Sequence, residues 1–210
     1  MSNQLTIQGL QCERGERVLF SNLSFTIEPG QLCHLNGTNG SGKTTLLRTI
    51  AGYTLPYAGT VNWNNEPATL ANYSYTQSYR YIGHQNGLKK NLSARENLDF
   101  FKQLHGLNAT VNDVSQALNT LNINDQSQLS VQELSQGQQR KTALARLLLG
   151  SSKLWILDEP FTSLDQASCG LLEDLMKRHL DQEGSIVLAT HQALQKISPA
   201  SIHLVELGHE

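Results

Sequence analysis

Eight consecutive residues, Gly37-Thr38-Asn39-Gly40-Ser41-Gly42-Lys43-Thr44, fit the pattern G-x-x-x-x-G-K-[ST] in full. Glycines let a backbone fold tightly enough to turn its N–H groups inward on a polyphosphate. The spacing predicts that the loop opens into a helix from Lys43 to Ile50. The N-terminal N–H groups and dipole of such a helix favour an anion. Lys43 then reaches the β- and γ-phosphates of a nucleoside triphosphate, and the Thr44 hydroxyl holds Mg²⁺. Asn36 and Thr45 flank the pattern and complete the candidate phosphate-binding run. A flexible Gly/Ser turn before an ordinary helix is the plainer alternative. The expected strand Gln31 to Asn36 ahead of the loop, with a helix behind it, favours the cradle.

A second chemical feature lies far along the chain. Leu154-Trp155-Ile156-Leu157 reads as a short strand buried on both faces, and it delivers Asp158-Glu159-Pro160. An acid at the C-terminal end of an apolar strand is the Mg²⁺ partner of a phosphate loop. Alone, Asp-Glu-Pro is also a plain strand-ending turn. Ser135 and Gly137, in Leu134-Ser135-Gln136-Gly137-Gln138, stand near an expected helix, Arg140 to Leu149, as a second potential anion site.

Several elements must position these residues. Leu5 to Leu10 and Leu23 to Ile27 alternate apolar with polar, the period of half-buried strands, with Val18-Leu19-Phe20 a short apolar piece between them. Thr60 to Trp63 is another strand, and the N-terminal part reads as an antiparallel sheet laid against a nucleotide-binding core. Tyr73, Tyr75, Tyr79 and Tyr81 read as a partly buried strand face rather than a base-stacking surface, because only Arg80 supplies charge beside them. From Asn91 to about Gly150 the pattern turns helical, with a capping box at Ser93 and Glu96 and a second helix marked by Val114, Leu118 and Leu121. Gln166 to Glu183 is an amphipathic helix, followed by strands Ser185 to Thr190 and Ser201 to Leu207. Strands alternating with helices around a phosphate loop imply a mainly parallel sheet.

Composition narrows the classes. Sixteen basic and eighteen acidic residues in 210, with no Lys/Arg-rich run, give no support to nucleic acid as a partner. No apolar run approaches the ~20 residues that span a bilayer, and the N-terminus lacks a secretory pattern. The expectation is a cytoplasmic protein, soluble or held to a membrane through a partner. Cys12, Cys33 and Cys169 make neither a disulfide framework nor a zinc motif, and Cys33-His34 reads as an ordinary strand pair.

With these pieces assembled, the chain resembles the ATP-binding subunits of ATP-binding-cassette (ABC) transporters over nearly its full length. Leu134-Ser135-Gln136-Gly137-Gln138 looks like their signature L-S-G-G-Q, departing at Gln136. The resemblance implies an α/β fold: a P-loop NTPase core with a mainly parallel sheet, an N-terminal antiparallel β-subdomain and an inserted helical subdomain. Core and β-sheet would occupy about 1–85 and 153–210, and the helical part about 86–152. It also implies roles. Lys43 and Thr44 bind phosphate and Mg²⁺ with Asp158, Glu159 is the general base, Gln85 senses Mg²⁺ and water, and His191 contacts the γ-phosphate. Ser163-Leu164-Asp165 resembles the loop that crosses a dimer interface. Ser135 and Gly137 would act on the ATP of a second, head-to-tail copy. Where the family usually stacks adenine on an aromatic residue, this chain has Arg14, whose guanidinium can also stack on a flat ring.

A narrower resemblance, to the ATPases of bacterial cytochrome c maturation, rests on Tyr81 to Lys89, Leu154 to Asp165 and Leu188 to Gln192. It implies a membrane transporter subunit handling haem or a haem-loaded chaperone, and a place on the cytoplasmic face of the inner membrane. An ABC ATPase of another transporter, a non-transport cassette protein and a nucleotide sensor without turnover are the alternatives. The interval between phosphate loop and signature has no long heptad run, and the chain has one cassette, which disfavours DNA-repair and ribosome-acting relatives. Glu159 and His191 argue against the sensor.

Overall fold

The computed structural model describes residues 3–208. The chain opens with a hairpin, β1 (Leu5–Arg14) and β2 (Arg17–Ile27). It then enters β3 (Leu32–Asn36), the phosphate loop and helix α1 (Lys43–Ile50). Strands β4 (Ala58–Trp63) and β5 (Glu66–Pro67) return to the hairpin, giving an antiparallel sheet in the order β2-β1-β4-β5. Val18, Leu19 and Phe20 belong to β2, which runs on unbroken where the sequence pattern suggests two pieces. Pairing with β1 over its whole length, from Leu5 opposite Ile27 to Arg14 opposite Arg17, joins them.

The rest of the chain supplies α2 (Tyr73–Ser78), β6 (Tyr79–Ile82), α3 (Ala94–Leu104), α4 (Val111–Thr120) and α5 (Gln136–Leu144). After them come β7 (Leu154–Asp158), α6 (Gln166–Asp181), β8 (Ser185–Ala189) and β9 (Ile202–Glu206). Five strands form a second sheet in the order β6-β7-β8-β3-β9, with every neighbouring pair parallel. Every residue of β7 and β8 is buried, as expected of strands covered on both faces.

Two apolar cores lie on the two faces of this parallel sheet. Trp155, Leu157, Ile186 and Leu188 pack with Leu98, Val114, Leu118 and Met176. Their strand neighbours Leu154, Ile156 and Val187 pack with Leu46, Leu47, Ile50 and hairpin residues Leu5 and Ile7. The period-2 alternation of a strand sends successive side chains to opposite cores. The sheet is thereby clamped between the antiparallel layer with α1 on one side and the helices α3, α4 and α6 on the other.

Two local readings are corrected. Tyr73 and Tyr75 lie on α2, not on a strand with Tyr79 and Tyr81. Asn72 caps that helix by accepting from the Tyr75 N–H, and the fully buried Tyr75 donates its hydroxyl to the Ile50 carbonyl. Cap and burial override the strand preference of the tyrosines. The helix expected from Arg140 begins at Gln136, because Ser135 and Gln138 form a capping box there. The capping box at Ser93 and Glu96 starts α3 as its sequence predicts.

Away from the strand ends that carry the phosphate loop, His179 of α6 stacks on Trp155 at 4.0 Å between ring centroids and sits near the Ser185 carbonyl. Burial pushes its pKa down from 6.5 to about 4, so the folded chain holds the ring neutral. The unfolded chain takes up the proton below about 6.5. This contribution to stability is therefore complete above pH 6.5 and drains away toward pH 4, by on the order of 2–3 kcal/mol. Thermal melts of the wild type and of His179→Gln, at pH 7.5 and pH 5, check it. The wild type should lose more stability between the two pH values than the variant.

Candidate functional site

The parallel sheet brings three strand ends to one edge. The phosphate loop follows β3, Asp158 ends β7, and His191 lies just beyond β8. In α/β sheets this carboxyl edge is where ligands are held. A cavity of about 320 Å³ opens there, lined by Asn39, Gly40, Gly42, Lys43, Thr44 and Thr45 of the loop and α1, by Asp158 and Glu159, and by Arg14.

The loop's chemistry follows from its backbone. Gly42 begins α1 at φ 103°, a left-handed conformation, and a Cβ there would lie 3.0 Å from the Phe20 ring. Only glycine suits both demands. No side chain caps the first turn of α1 and no acidic residue occupies it. Its N–H groups and positive pole thus face the cavity with no protein side chain as acceptor, a fit for a phosphate group. Lys43 arches back over the loop, donating to the Gly37 and Thr38 carbonyls at 2.6 and 3.1 Å. Asn36 donates to Glu206 at 2.8 Å, and Ser41 is buried; neither lines the cavity.

At the cavity floor the Thr44 hydroxyl donates to Asp158 Oδ2 at 2.9 Å. No group of three or more His, Cys, Asp or Glu side chains gathers as a metal site among the described residues. A hydroxyl beside one carboxylate suits Mg²⁺, a hard cation that keeps water and phosphate oxygens as its other ligands. Close by, the Tyr81 phenol is pushed up to about 12 by burial and then by the Asp158 charge, so it remains protonated.

Glu159 sits at φ 47°, a sparsely populated conformation for a residue with a Cβ. Its N–H donates to the Ala189 carbonyl at 2.8 Å, tying it to β8. Its Oε1 stands 3.6 Å from His191 Nε2, and the imidazole is the more exposed of the two side chains.

Other candidates lie apart. Gln85 lines a neighbouring groove with Tyr53, Phe100 and Arg146, while His84 lines the phosphate cavity. Ser135 and Gly137 do not line the cavity of their own chain; Ser135 is an exposed N-cap. Gly137 lies under the loop after β7: a Cβ on it would come 2.8 Å from the Ser163 carbonyl. Gln136 is the first residue of α5 and has no positive φ, so the backbone does not require glycine at that position.

Sequence reasoning missed three residues. Leu19 is a buried wall of the cavity, hidden in an ordinary strand pattern. His84 stands beside the singled-out Gln85. Arg140 is buried and donates to the Asp158, Glu159 and Pro160 carbonyls, which hold the acidic turn. No local pattern marks it, because every acceptor it meets is distant in sequence.

A phosphate loop at the carboxyl edge of a parallel sheet, with a hydroxyl–carboxylate pair beneath it, defines a P-loop nucleotide-binding protein. The chain belongs to the ABC transporter family, whose profile matches residues 20–162. It is 41% identical over 201 residues to the cytochrome c biogenesis ATP-binding export protein CcmA of Nitrosomonas europaea, covering 96% of this chain and 94% of that one. The protein of the same name from Escherichia coli K12 is 42% identical over 206 residues, covering 97% and 96%. An ABC transporter ATP-binding protein from Pyrococcus furiosus superposes with a TM-score of 0.79 over 97% of both chains at 23% identity, a likeness of fold.

The geometry of α5 makes a direct prediction. Gln136→Gly should leave ATP turnover within about twofold and lower stability by at most ~1 kcal/mol, since glycine only adds unfolded-state freedom at a helical position. Steady-state hydrolysis and denaturant melts of the purified variant measure both.

Proposed function

We propose that the chain is the ATP-hydrolysing subunit of an ABC export complex serving cytochrome c biogenesis. In this reading it works as a head-to-tail pair docked on an integral membrane subunit at the cytoplasmic face of the bacterial inner membrane. Any haem or haem-loaded chaperone is handled by the complex. The observation that carries the reading is the 2.9 Å hydrogen bond from Thr44 to Asp158, which closes the phosphate loop onto the acidic strand end. The relatives named for cytochrome c biogenesis support the particular pathway.

The roles in this mechanism combine the family resemblance with the positions of the side chains. Lys43 and the first-turn N–H groups of α1 take the β- and γ-phosphates, with Asn36 to Thr45 shaping the cradle. Thr44 and Asp158 would hold Mg²⁺, with Gln85 reaching in from the neighbouring groove, and the ion would neutralise charge on the phosphate oxygens. Arg14 stacks on the adenine against the Leu19 wall. Glu159 polarises the attacking water and takes its proton, while His191, 3.6 Å away, faces the γ-phosphate.

The second copy completes the site. Ser135 stands exposed at the start of α5, so its hydroxyl and the helix pole are available to a nucleotide outside the chain. Closure of the pair excludes water other than the attacking molecule, which strengthens each electrostatic contact. We take residues 86–152 as the helical subdomain that carries this second contact. Gln85 lies in the groove of about 260 Å³ that Tyr53, Phe100 and Leu104 leave partly apolar and exposed. That groove suits a segment of the membrane subunit. No helix among the described residues is long and apolar enough to cross a membrane itself.

Glu159→Gln is the decisive variant. It should still bind ATP, hydrolyse it about 10²–10⁴-fold more slowly and accumulate as a closed dimer, the loss typical of a missing general base. Unchanged turnover would refute the assignment. Copurification of a membrane protein with the tagged chain tests the pathway.

A further inference from the structure

We propose that Arg140 is a positioning residue that locks the signature end of α5 to Glu159 of the same chain, so that neither moves without the other. The inference rests on the general-base reading of Glu159.

Arg140 is 2% exposed, and the donors of its guanidinium are used in five hydrogen bonds. Nη2 donates to the Asp158 and Glu159 carbonyls at 3.0 and 2.9 Å, and Nε to the Pro160 carbonyl at 3.1 Å. Nη1 donates to the Gly83 carbonyl and Asn86 Oδ1 at 2.9 and 3.0 Å. All five acceptors are uncharged. Burying a cation without an ion pair is costly, yet an apolar residue would leave these five acceptors without their donor. Charge pairing alone therefore does not account for the choice.

What the fork holds does account for it. Glu159 sits at φ 47°, and its peptide is fixed from two sides: Ala189 accepts its N–H, and Arg140 donates to its carbonyl. The direction of the Glu159 carboxylate depends on that fixation. At its other end α5 begins at the Ser135 cap, little more than one turn away, with Gly137 pressed under the Ser163 carbonyl. A short helix is stiff over that distance. A displacement at Ser135, where a second copy's nucleotide would bind, therefore moves the guanidinium and with it the Glu159 backbone. Gly83 and Asn86 are carried along, and Arg146, on the 3-10 turn that follows α5, grips the Asn86 and Gly87 carbonyls. One residue thus ties together the signature, the acidic turn and the segment before the apolar groove. Lysine would keep the charge but, with three donors on one atom, cannot reach the same set.

The test uses Arg140→Lys in the full chain, alone and combined with Glu159→Gln. Alone, the variant should keep its ATP dissociation constant and KM within about threefold, because it leaves Lys43 and Thr44 untouched, while kcat falls roughly 10- to 100-fold. Backbone hydrogen exchange should quicken at residues 83–87 and 158–163 and nowhere else. In the Glu159→Gln background the same substitution should lower kcat no further, since a residue that acts through Glu159 has nothing left to position. A kcat within threefold of wild type overturns the proposal. So does a multiplicative loss in the double variant, or faster exchange spread over the whole chain, either of which means a merely structural role. If Arg140→Lys does not fold, Asn86→Ala removes one acceptor. It must lower kcat about twofold or more at unchanged ATP affinity, and failure to do so overturns the proposal. A wild-type chain without ATP turnover would sink the general-base reading instead, and the local exchange pattern would still decide whether Arg140 holds the turn.

Discussion

The hydrogen bond between Thr44 and Asp158 spans residues that the chain separates by most of its helical content. It exists because β3 and β7 run in the same direction, with β8 between them, and end at one edge. Parallel strands need long crossovers, and the crossovers here are the helices that cover both faces. The same constraint makes β7 apolar up to its last residue, Asp158, and β8 apolar from Ile186 to Ala189, with Thr190 and His191 following. The site is thus a product of strand direction. An antiparallel arrangement of the same segments would place Asp158 at the far end of the sheet from the loop.

Polar groups at that edge are held by a few side chains. The half-buried Lys43 donates to the loop carbonyls, and the buried Arg140 gathers the carbonyls around Glu159, while the exposed Ser135 caps α5 by accepting the Gln138 N–H. Burial lowers the pKa of Arg140, while the Asp158 and Glu159 carboxylates oppose that shift. The guanidinium stays charged because arginine is so strongly basic, although none of its direct acceptors carries a charge. This arrangement leaves the carboxylate oxygens of Glu159 free for His191 and for water, and uses only its backbone for anchorage.

The relatives place these features in a wider setting. Identity of about 40% to bacterial export ATPases extends over nearly the whole chain, whereas the archaeal structure shares the fold at 23% identity. The sheet order and the phosphate loop belong to the fold. The departures seen here, Gln136 at the first position of α5 and Arg14 on the cavity wall, both lie on backbone without a positive φ. A family position usually filled by glycine therefore says little about local strain unless φ is positive there.

Residue order alone determined the features that depend on short-range spacing. The phosphate loop, the acid at the end of an apolar strand, the capping box at Ser93 and the amphipathic stripe of α6 each lie within one element, where periodicity and cap chemistry act locally. Tertiary structure decided what distance along the chain conceals. It joined Val18 to Phe20 into one long strand by pairing them with β1, and it turned Tyr73 and Tyr75 into a helix because the Tyr75 hydroxyl found the end of α1. It put His84 rather than Gln85 on the cavity wall, and it gave Arg140 a purpose that no neighbour in sequence announces. The physical reason is common to all four: each outcome is a contact between groups that meet only after the sheet has formed, and such contacts leave no period in the chain.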